Sequence, residues 1–91
     1  MAATKDGNAL GGLLGEFLGT DLTAVVVVCG ACDQHQAMAQ VVVYEAGPGW
    51  VARCRGCAEV VLKVAVIREE LVLDLRGAAT LRMAAPAQAP R

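Results

Sequence analysis

The first patterned stretch of the chain has the apolar spacing of an amphipathic helix. Its large apolar side chains recur at intervals of three and four residues, at Leu10, Leu13, Leu14, Phe17 and Leu18. This spacing places them on one stripe, so we predict a helix at about residues 8–18. Asp6 or Asn8 can cap its start, and Gly19 can end it in the left-handed conformation. Because three internal glycines lower its helix propensity, the helix must be held by docking its apolar stripe.

From residue 23 the apolar period changes to two, which is typical of β-strands. The predicted strands cover residues 23–28, 38–45, 50–53, 60–67 and 71–75, with a short further piece at 81–83. A Gly-Pro-Gly turn and a charged hairpin loop separate the later strands. The predicted fold class is therefore a β-rich small domain, an antiparallel ribbon of three to five strands with one short N-terminal helix.

The chain is long enough for one small domain only. It has 91 residues, and we place the domain at residues 1–83 with a flexible C-terminal tail at 84–91. A chain of this length buries roughly 60–65% of the surface that its unfolded form exposes, so its core is thin. The hydrophobic fraction of 56% excludes a disordered polyelectrolyte, and the formal net charge of −1 argues against a strongly basic nucleic-acid-binding protein.

The N-terminal region lacks the pattern of an exported or membrane-inserted protein. Glycines and Glu16 interrupt the apolar stretch at residues 10–18, whereas a signal peptide needs an unbroken apolar run of about 7–15 residues. The longest strongly apolar run, at residues 23–28, is far shorter than the ~20 residues of a membrane-spanning helix. We therefore expect a cytoplasmic protein without membrane contact, in which cysteines stay reduced.

Four cysteines form the most informative motif of the chain. Two C-x2-C pairs are separated by 21 residues, and they consist of Cys29 with Cys32 and Cys54 with Cys57. Two residues between the thiolates let a tight turn direct both sulfurs at one ion, and we expect Gly30 and Gly56 to supply the backbone freedom of such turns. Because each pair follows a predicted strand, two hairpin tips can meet around a tetrahedral ion, as in a zinc ribbon.

The predicted site is a single structural Zn²⁺ ion held by all four cysteines. Four protein thiolates leave no open coordination position, which is typical of structural zinc. Zinc binding of this kind provides an apparent ~10–16 kcal/mol, more than a thin core supplies. A rubredoxin-like iron redox carrier is an alternative because tetrahedral sulfur ligands also suit iron, although the chain has only three aromatic residues. A thioredoxin-type redox pair is disfavoured, because it needs a βαβ context that the predicted elements lack. Two disulfides are disfavoured as well, because they need an oxidising compartment and we expect a cytoplasmic protein.

The chain offers few groups for catalysis. His35, its one histidine, lies three residues after Cys32. We interpret it as an exposed loop residue, with a supporting contact to the metal ligands as the alternative. One histidine provides no Ser-His-Asp set, and the glycine-rich residues 11–15 lack the Lys-Ser/Thr of a phosphate-binding loop. We therefore expect a non-enzymatic protein.

An interaction module fits the remaining features best, because a short chain rich in apolar residues exposes apolar patches. The predicted interaction surface includes the helix stripe of Leu10, Leu13, Leu14 and Phe17. An uncovered strand such as residues 71–75 can also pair with a second copy, as a homodimer, or with another protein. A nucleic-acid-binding or transcription-linked ribbon is the runner-up, although acidic residues interrupt the basic residues of the strands.

Three segments resemble a small uncharacterised family of actinobacterial zinc-ribbon proteins. They are the opening Asp6-Gly7-Asn8-Ala9-Leu10, the two cysteine pairs, and the closing Leu73-Asp74-Leu75-Arg76-Gly77, within a similarity that spans roughly residues 6–81. The resemblance implies that the four cysteines are ligands, and it implies no known activity. It also directs attention to Asp74 and Arg76 on the exposed side of a predicted strand, and both join the predicted interaction surface. Gly30, Ala31 and His35 depart from the family's pattern.

Overall fold

The described strands of the protein form two antiparallel sheets. The computed structural model describes residues 4–19 and 22–84. In chain order the elements are β1 (Thr4–Asp6), α1 (Gly7–Leu18), β2 (Val26–Cys29), β3 (His35–Ala37), a 3₁₀ helix (Met38–Gln40), β4 (Val42–Ala46), β5 (Gly49–Arg53), β6 (Val60–Ile67), β7 (Glu70–Asp74) and β8 (Ala78–Arg82). Of the predicted tail at residues 84–91, all but the first residue lie outside the described residues.

Within the described residues, one sheet has the strand order β1-β4-β5-β6-β7 and the other has the order β3-β2-β8. Every pair of neighbouring strands is antiparallel. This arrangement confirms the predicted fold class of antiparallel β structure with one short helix. The number of strands exceeds the predicted three to five, because β1 and β3 have only three residues each and are too short to show an alternating pattern.

Helix α1 covers the core of its own chain. Leu10 and Leu14 are 1% and 3% exposed, so these two residues of the predicted interaction surface are not available to a partner. Leu13 is half-buried and packs against the same core, whereas Phe17 at the far end of the stripe is about half exposed. Gly19 ends the helix with a φ of +73°, and its N–H donates to the carbonyl of the residue four positions earlier, as the sequence predicts.

The N-terminal half of α1 lies directly on the loops that precede β4. A side chain at Gly7 would overlap the carbonyl of Met38, and one at Gly11 would meet Thr23. Glycine at these two positions therefore allows the helix backbone to approach its neighbours closely. The 12-residue α1 is too short to cross a bilayer, and no helix in the described part of the chain is long and apolar enough to do so.

Three predicted strands were wrong at their first residues. The piece predicted at 81–83 belongs to β8, which begins earlier, at Ala78. The predicted strand at 23–28 begins only at Val26, and the one at 38–45 begins with the 3₁₀ helix. In these last two segments the Met38 N–H donates to the Val25 carbonyl and the Ala39 N–H donates to the Thr23 carbonyl. These bonds connect the two segments to each other outside the strand ladders.

One buried cluster connects the helix and the two sheets. It contains Leu10, Leu14, Val27, Cys29, Met38, Val41, Val43, Ala52, Cys54, Val61, Leu62 and Val64. The first cysteine of each C-x2-C pair therefore belongs to the core, which places the cysteine site at the border between the core and the solvent.

Candidate metal centre

The two cysteine pairs come from different sheets. Cys29 is the last residue of β2 in the three-stranded sheet, and the turn after it leads to β3. Cys54 follows β5 in the five-stranded sheet, and the turn after it leads to β6. An ion bound by both pairs would therefore link the two sheets directly.

The first turn is closed by hydrogen bonds around Cys29. The Cys29 N–H donates to the Gln34 carbonyl over 3.0 Å, and the Asp33 N–H donates to the Cys29 carbonyl over 3.0 Å. The Ala31 N–H points to the Cys29 sulfur at 3.4 Å. This turn therefore holds its first sulfur in place with a backbone donor.

The second turn repeats this pattern at equivalent positions. The Cys54 N–H donates to the Glu59 carbonyl over 2.8 Å, and the Ala58 N–H donates to the Cys54 carbonyl over 3.0 Å. The Gly56 N–H points to the Cys54 sulfur at 3.4 Å. Two segments of different sequence thus form the same local structure, which is the structure that a C-x2-C ligand pair requires.

The glycines of the two turns have a different role from the predicted one. The left-handed residues are Asp33 with a φ of +63° and Ala58 with a φ of +66°. Gly30 is needed instead for space, because a side chain there would come within 2.9 Å of the Gly77 carbonyl oxygen. A side chain at Gly56 would meet only the end of the exposed Gln34 side chain, which can move aside. Close packing against the backbone therefore selects glycine at position 30 but not at position 56.

The four sulfurs lie at the spacing of a tetrahedral site. The Cys29 Sγ is 3.6 Å from the Cys57 Sγ, and the Cys32 Sγ is 3.7 Å from the Cys54 Sγ. All four sulfurs lie within 4.8 Å of one another. Four sulfurs each bound at about 2.3 Å from a central ion lie about 3.8 Å apart in a regular tetrahedron. The cysteines are free rather than disulfide-bonded, so they can bind a metal ion together.

Exposure divides each cysteine pair in the same way. Cys29 and Cys54 are buried, whereas Cys32 and Cys57 are exposed. The first sulfur of each pair is thus fixed by the core, and the second faces the solvent. A metal ion can enter such a site from the surface without opening the core.

Gln36 supports the site and is not among the residues predicted from the sequence. Its side chain is 3% exposed and is the one buried polar side chain among the described residues. Its Nε2 donates to the Cys54 sulfur over 3.1 Å, and its Oε1 accepts from the Arg55 N–H over 2.9 Å. Gln36 lies on β3 in one sheet and holds the cysteine turn of the other. A donor to a metal-binding sulfur orients the ligand and stabilises its charged form.

His35, for which a supporting role was the alternative, points away from the sulfurs. It is exposed, and its Nδ1 lies 3.2 Å from the Asp33 carbonyl oxygen. Successive residues of a strand face opposite sides, so β3 turns Gln36 inward and His35 outward. The three residues of β3 are too few for an alternating pattern, so the sequence does not show which of them faces inward.

The environment favours the thiolate form at Cys54. Burial raises its pKa, but hydrogen bonds from the Cys57 N–H, the Gln36 amide and the Gly56 N–H outweigh burial and lower the pKa to about 6. The Cys32 thiol is different: the Gln34 N–H lowers its pKa, but desolvation and the neighbouring sulfurs outweigh this and raise it to about 12. A metal ion must therefore displace protons from this cluster when it binds.

Asp74 and Arg76 form a local turn next to the cysteine site. Arg76 donates from Nε to Asp74 Oδ1 over 2.9 Å, from Nη2 to Oδ2 over 2.6 Å, and from its backbone N–H to Oδ1 over 3.1 Å. These bonds hold the pKa of Asp74 well below its usual range. The following Gly77 accepts a hydrogen bond from the Gly30 N–H over 2.9 Å. The turn thus connects β7 to β8, and its hydrogen bond to Gly30 links it to the first cysteine turn.

Comparison with known proteins identifies a family but no characterised relative. No curated protein and no solved structure matches the chain. A family model matches residues 1–86, and its description is a family of unknown function. This agrees with the resemblance to an uncharacterised family, whereas actinobacterial origin stays a prediction. Because the match covers nearly the whole chain, the protein belongs to the DUF6510 family, a family of unknown function.

Proposed function

We propose that the protein is a non-enzymatic interaction module whose two sheets are joined by one structural zinc ion. The observation that carries this proposal is the approach of four sulfurs from two sheets to tetrahedral spacing. Cys29, Cys32, Cys54 and Cys57 would hold the ion. Its role is mechanical, since it closes a fold whose core is small.

A structural role is supported by the composition of the site. Four protein sulfurs complete a tetrahedral coordination sphere and leave no position for water or substrate. The Gln36 amide and two backbone N–H groups already stabilise the sulfurs. Iron fits the same ligands. We favour zinc because a rubredoxin-like site surrounds its iron with aromatic side chains, and this chain has only three aromatic residues.

An interaction role is supported by apolar surface outside the core. A groove of about 220 Å³ lies between the end of α1 and the two sheets. Aliphatic and methionine side chains line it, at Leu14, Leu18, Leu22, Val25, Met38, Leu62, Leu73, Leu75, Leu81 and Met83. Leu18, Leu73, Leu75 and Met83 are also exposed to solvent. Apolar patches on a small protein mark surfaces that bind partners.

Elemental analysis and chelation test the metal proposal. We expect the purified protein to be colourless, to contain one equivalent of zinc, and to lose its folded circular dichroism spectrum when a strong chelator removes the metal. Cys32→Ser is expected to lose the metal, whereas Ala31→Ser, which adds a hydroxyl in the same turn, is expected to keep it. A visible absorption band would assign iron instead, and a folded protein that is indifferent to chelators would exclude a structural metal.

Binding assays test the interaction proposal. A mixed pool of RNA and DNA at low salt is the appropriate probe of the runner-up, because nucleic-acid affinity weakens steeply with salt. We expect no binding. Salt-sensitive binding would replace the interaction role with a nucleic-acid role, and would leave the zinc site unaffected.

A further inference from the structure

We infer that the partner of this module is a second copy of the chain, which pairs antiparallel with β7 in a register centred on Leu73. The inference rests on the proposed interaction function and names the surface and the occupant. It follows from the exposed edge of the larger sheet, the direction of the backbone groups of β7, and the charges at its two ends.

Strand β7 is an edge of the five-stranded sheet in the described part of the chain. It presents a Leu-Val-Leu segment flanked by one acidic residue at each end. Val72 is 45% exposed and Leu73 is 38% exposed. Proteins normally protect sheet edges with lysine, proline, a bulge or a very short strand. The opposite edge, β1, is short, whereas β7 has five residues and its charged residues, Glu70 and Asp74, lie only at its ends, which leaves the three central apolar residues unprotected.

The hairpin turn before β7 fixes the direction of the backbone groups of the strand. Arg68 and Glu69 have φ values of 50° and 68°, as in the two-residue turn that joins tightly paired strands. In such a hairpin the two flanking residues, Ile67 and Glu70, form a hydrogen-bonded pair. Glu70 therefore directs its backbone N–H and carbonyl to β6.

From Glu70 onward, the backbone N–H and carbonyl groups of successive residues point alternately to β6 and to the open edge. Val72 and Asp74 also direct their backbone groups to β6, opposite Ala65 and Lys63 respectively. Leu71 and Leu73 direct theirs to the open edge. An antiparallel strand of a second copy can therefore exchange hydrogen bonds with these leucines without disturbing the sheet.

Charge favours a register centred on Leu73 over one centred on Val72. A register centred on Leu73 pairs Leu73 of one copy with Leu73 of the other. It places Glu70 beside the turn that follows β7 in the second copy, where the exposed Arg76 side chain lies, and the two-fold symmetry repeats this contact. A register centred on Val72 would instead place Glu70 opposite Asp74, and two like charges directly opposite each other destabilise a sheet. The Arg76 side chain is 88% exposed and uses two of its five N–H donors on Asp74, so it remains accessible to Glu70.

Apolar surface continues from the same edge. Leu71 and Leu73 share the core-side face of β7, next to the buried Val64. Leu73 and Leu75 also line the apolar groove, together with the exposed Met83. A second copy paired at β7 brings its own leucines to this side, so the dimer would cover the strand edge and extend the apolar surface next to the groove.

Sedimentation velocity of the metal-loaded full chain tests the pairing. We expect a concentration-dependent dimer, and Glu70→Arg to raise its dissociation constant roughly tenfold because it places arginine beside arginine. Arg76→Glu should weaken the dimer as well. Mixing these two variants should restore a dimer, since each chain then meets an opposite charge at both positions. Glu69→Arg, with the same charge change in the hairpin turn, is the control and should dimerise as the wild type does.

Amide hydrogen exchange locates the contact. The Leu71 and Leu73 amides should exchange more slowly as the protein concentration rises, whereas the Val72 amide, which is bonded within the sheet, should not respond to concentration. A chain that is monomeric at high concentration, a dimer that Glu70→Arg leaves unchanged, or concentration-independent exchange at Leu73 would each overturn the inference. Metal content is measured on the same samples, so a monomer that holds zinc would refute the dimer and leave the zinc proposal intact.

Discussion

Gln36 provides the sharpest test of how the protein supports its metal site. Replacing Gln36 with Met keeps the length of the side chain but removes the donor to the Cys54 sulfur and the acceptor for the Arg55 N–H. We expect the variant to fold with metal and to hold the metal less tightly. Gln36→Glu should weaken metal binding further than Gln36→Met, since a carboxylate would face the negatively charged sulfur.

The expected magnitude follows from the two lost hydrogen bonds. A hydrogen bond to a charged group contributes about 1.5–3 kcal/mol, and the Cys54 sulfur is charged when it binds metal. The Arg55 N–H adds little, because this exposed residue can bond to water instead. Residues that support metal ligands typically change metal affinity by about 10–100-fold, which corresponds to about 1.4–2.7 kcal/mol. The two estimates agree, so we expect Gln36→Met to weaken zinc binding by about 10–100-fold.

Competition with a chromophoric chelator measures this change directly. His35→Met is the matched control, because His35 precedes Gln36 on the same strand but is exposed and points away from the sulfurs. We expect the control to bind zinc as the wild type does. Equal affinities of Gln36→Met and the wild type, or a greater loss in the His35 variant, would refute the supporting role of Gln36.

Three further predictions concern stability and pH. Ala58→Gly should raise the free energy of unfolding of the metal-loaded protein by about 0.5–1 kcal/mol. Ala58 has a φ of +66°, and relief of that strain exceeds the entropy that glycine adds to the unfolded chain. Denaturant titration measures the free energy of unfolding, and a loss of stability would contradict the prediction. Leu10→Ala should lower the free energy of unfolding by about 2–5 kcal/mol in the same titration, since Leu10 is 1% exposed. Phe17→Ala should lower it far less. Equal losses would be inconsistent with the packing of the helix. Acidification should weaken metal binding because protons compete for the sulfurs. Because the pKa of Cys54 is lowered to about 6, its sulfur stays in the metal-binding thiolate form above that pH and takes up a proton as the pH falls through about 6. Chelator competition at several pH values measures the affinity, and a pH-independent affinity would contradict the thiolate site.

Patterns between near neighbours in the sequence predicted much of the fold. The spacing of the leucines predicted a helix at about residues 8–18, and α1 occupies Gly7–Leu18. The alternation at residues 60–67 predicted the strand that is observed there as β6. The two C-x2-C motifs predicted a common site because each tight turn brings two sulfurs together. These features depend on residues within a few positions of one another, so periodicity and spacing are enough to reveal them.

Only the tertiary structure decided the features that depend on distant partners. The three-residue β3 is a strand because β2 supplies its hydrogen bonds, and that strand turns Gln36 toward a sulfur 18 positions away. The apolar stripe of α1 predicted a face that must be covered, but the packing of the chain determines that Leu10 and Leu14 are covered by its own core. A side chain's burial and its hydrogen-bond partners are properties of the assembled sheets, and local periodicity does not contain them.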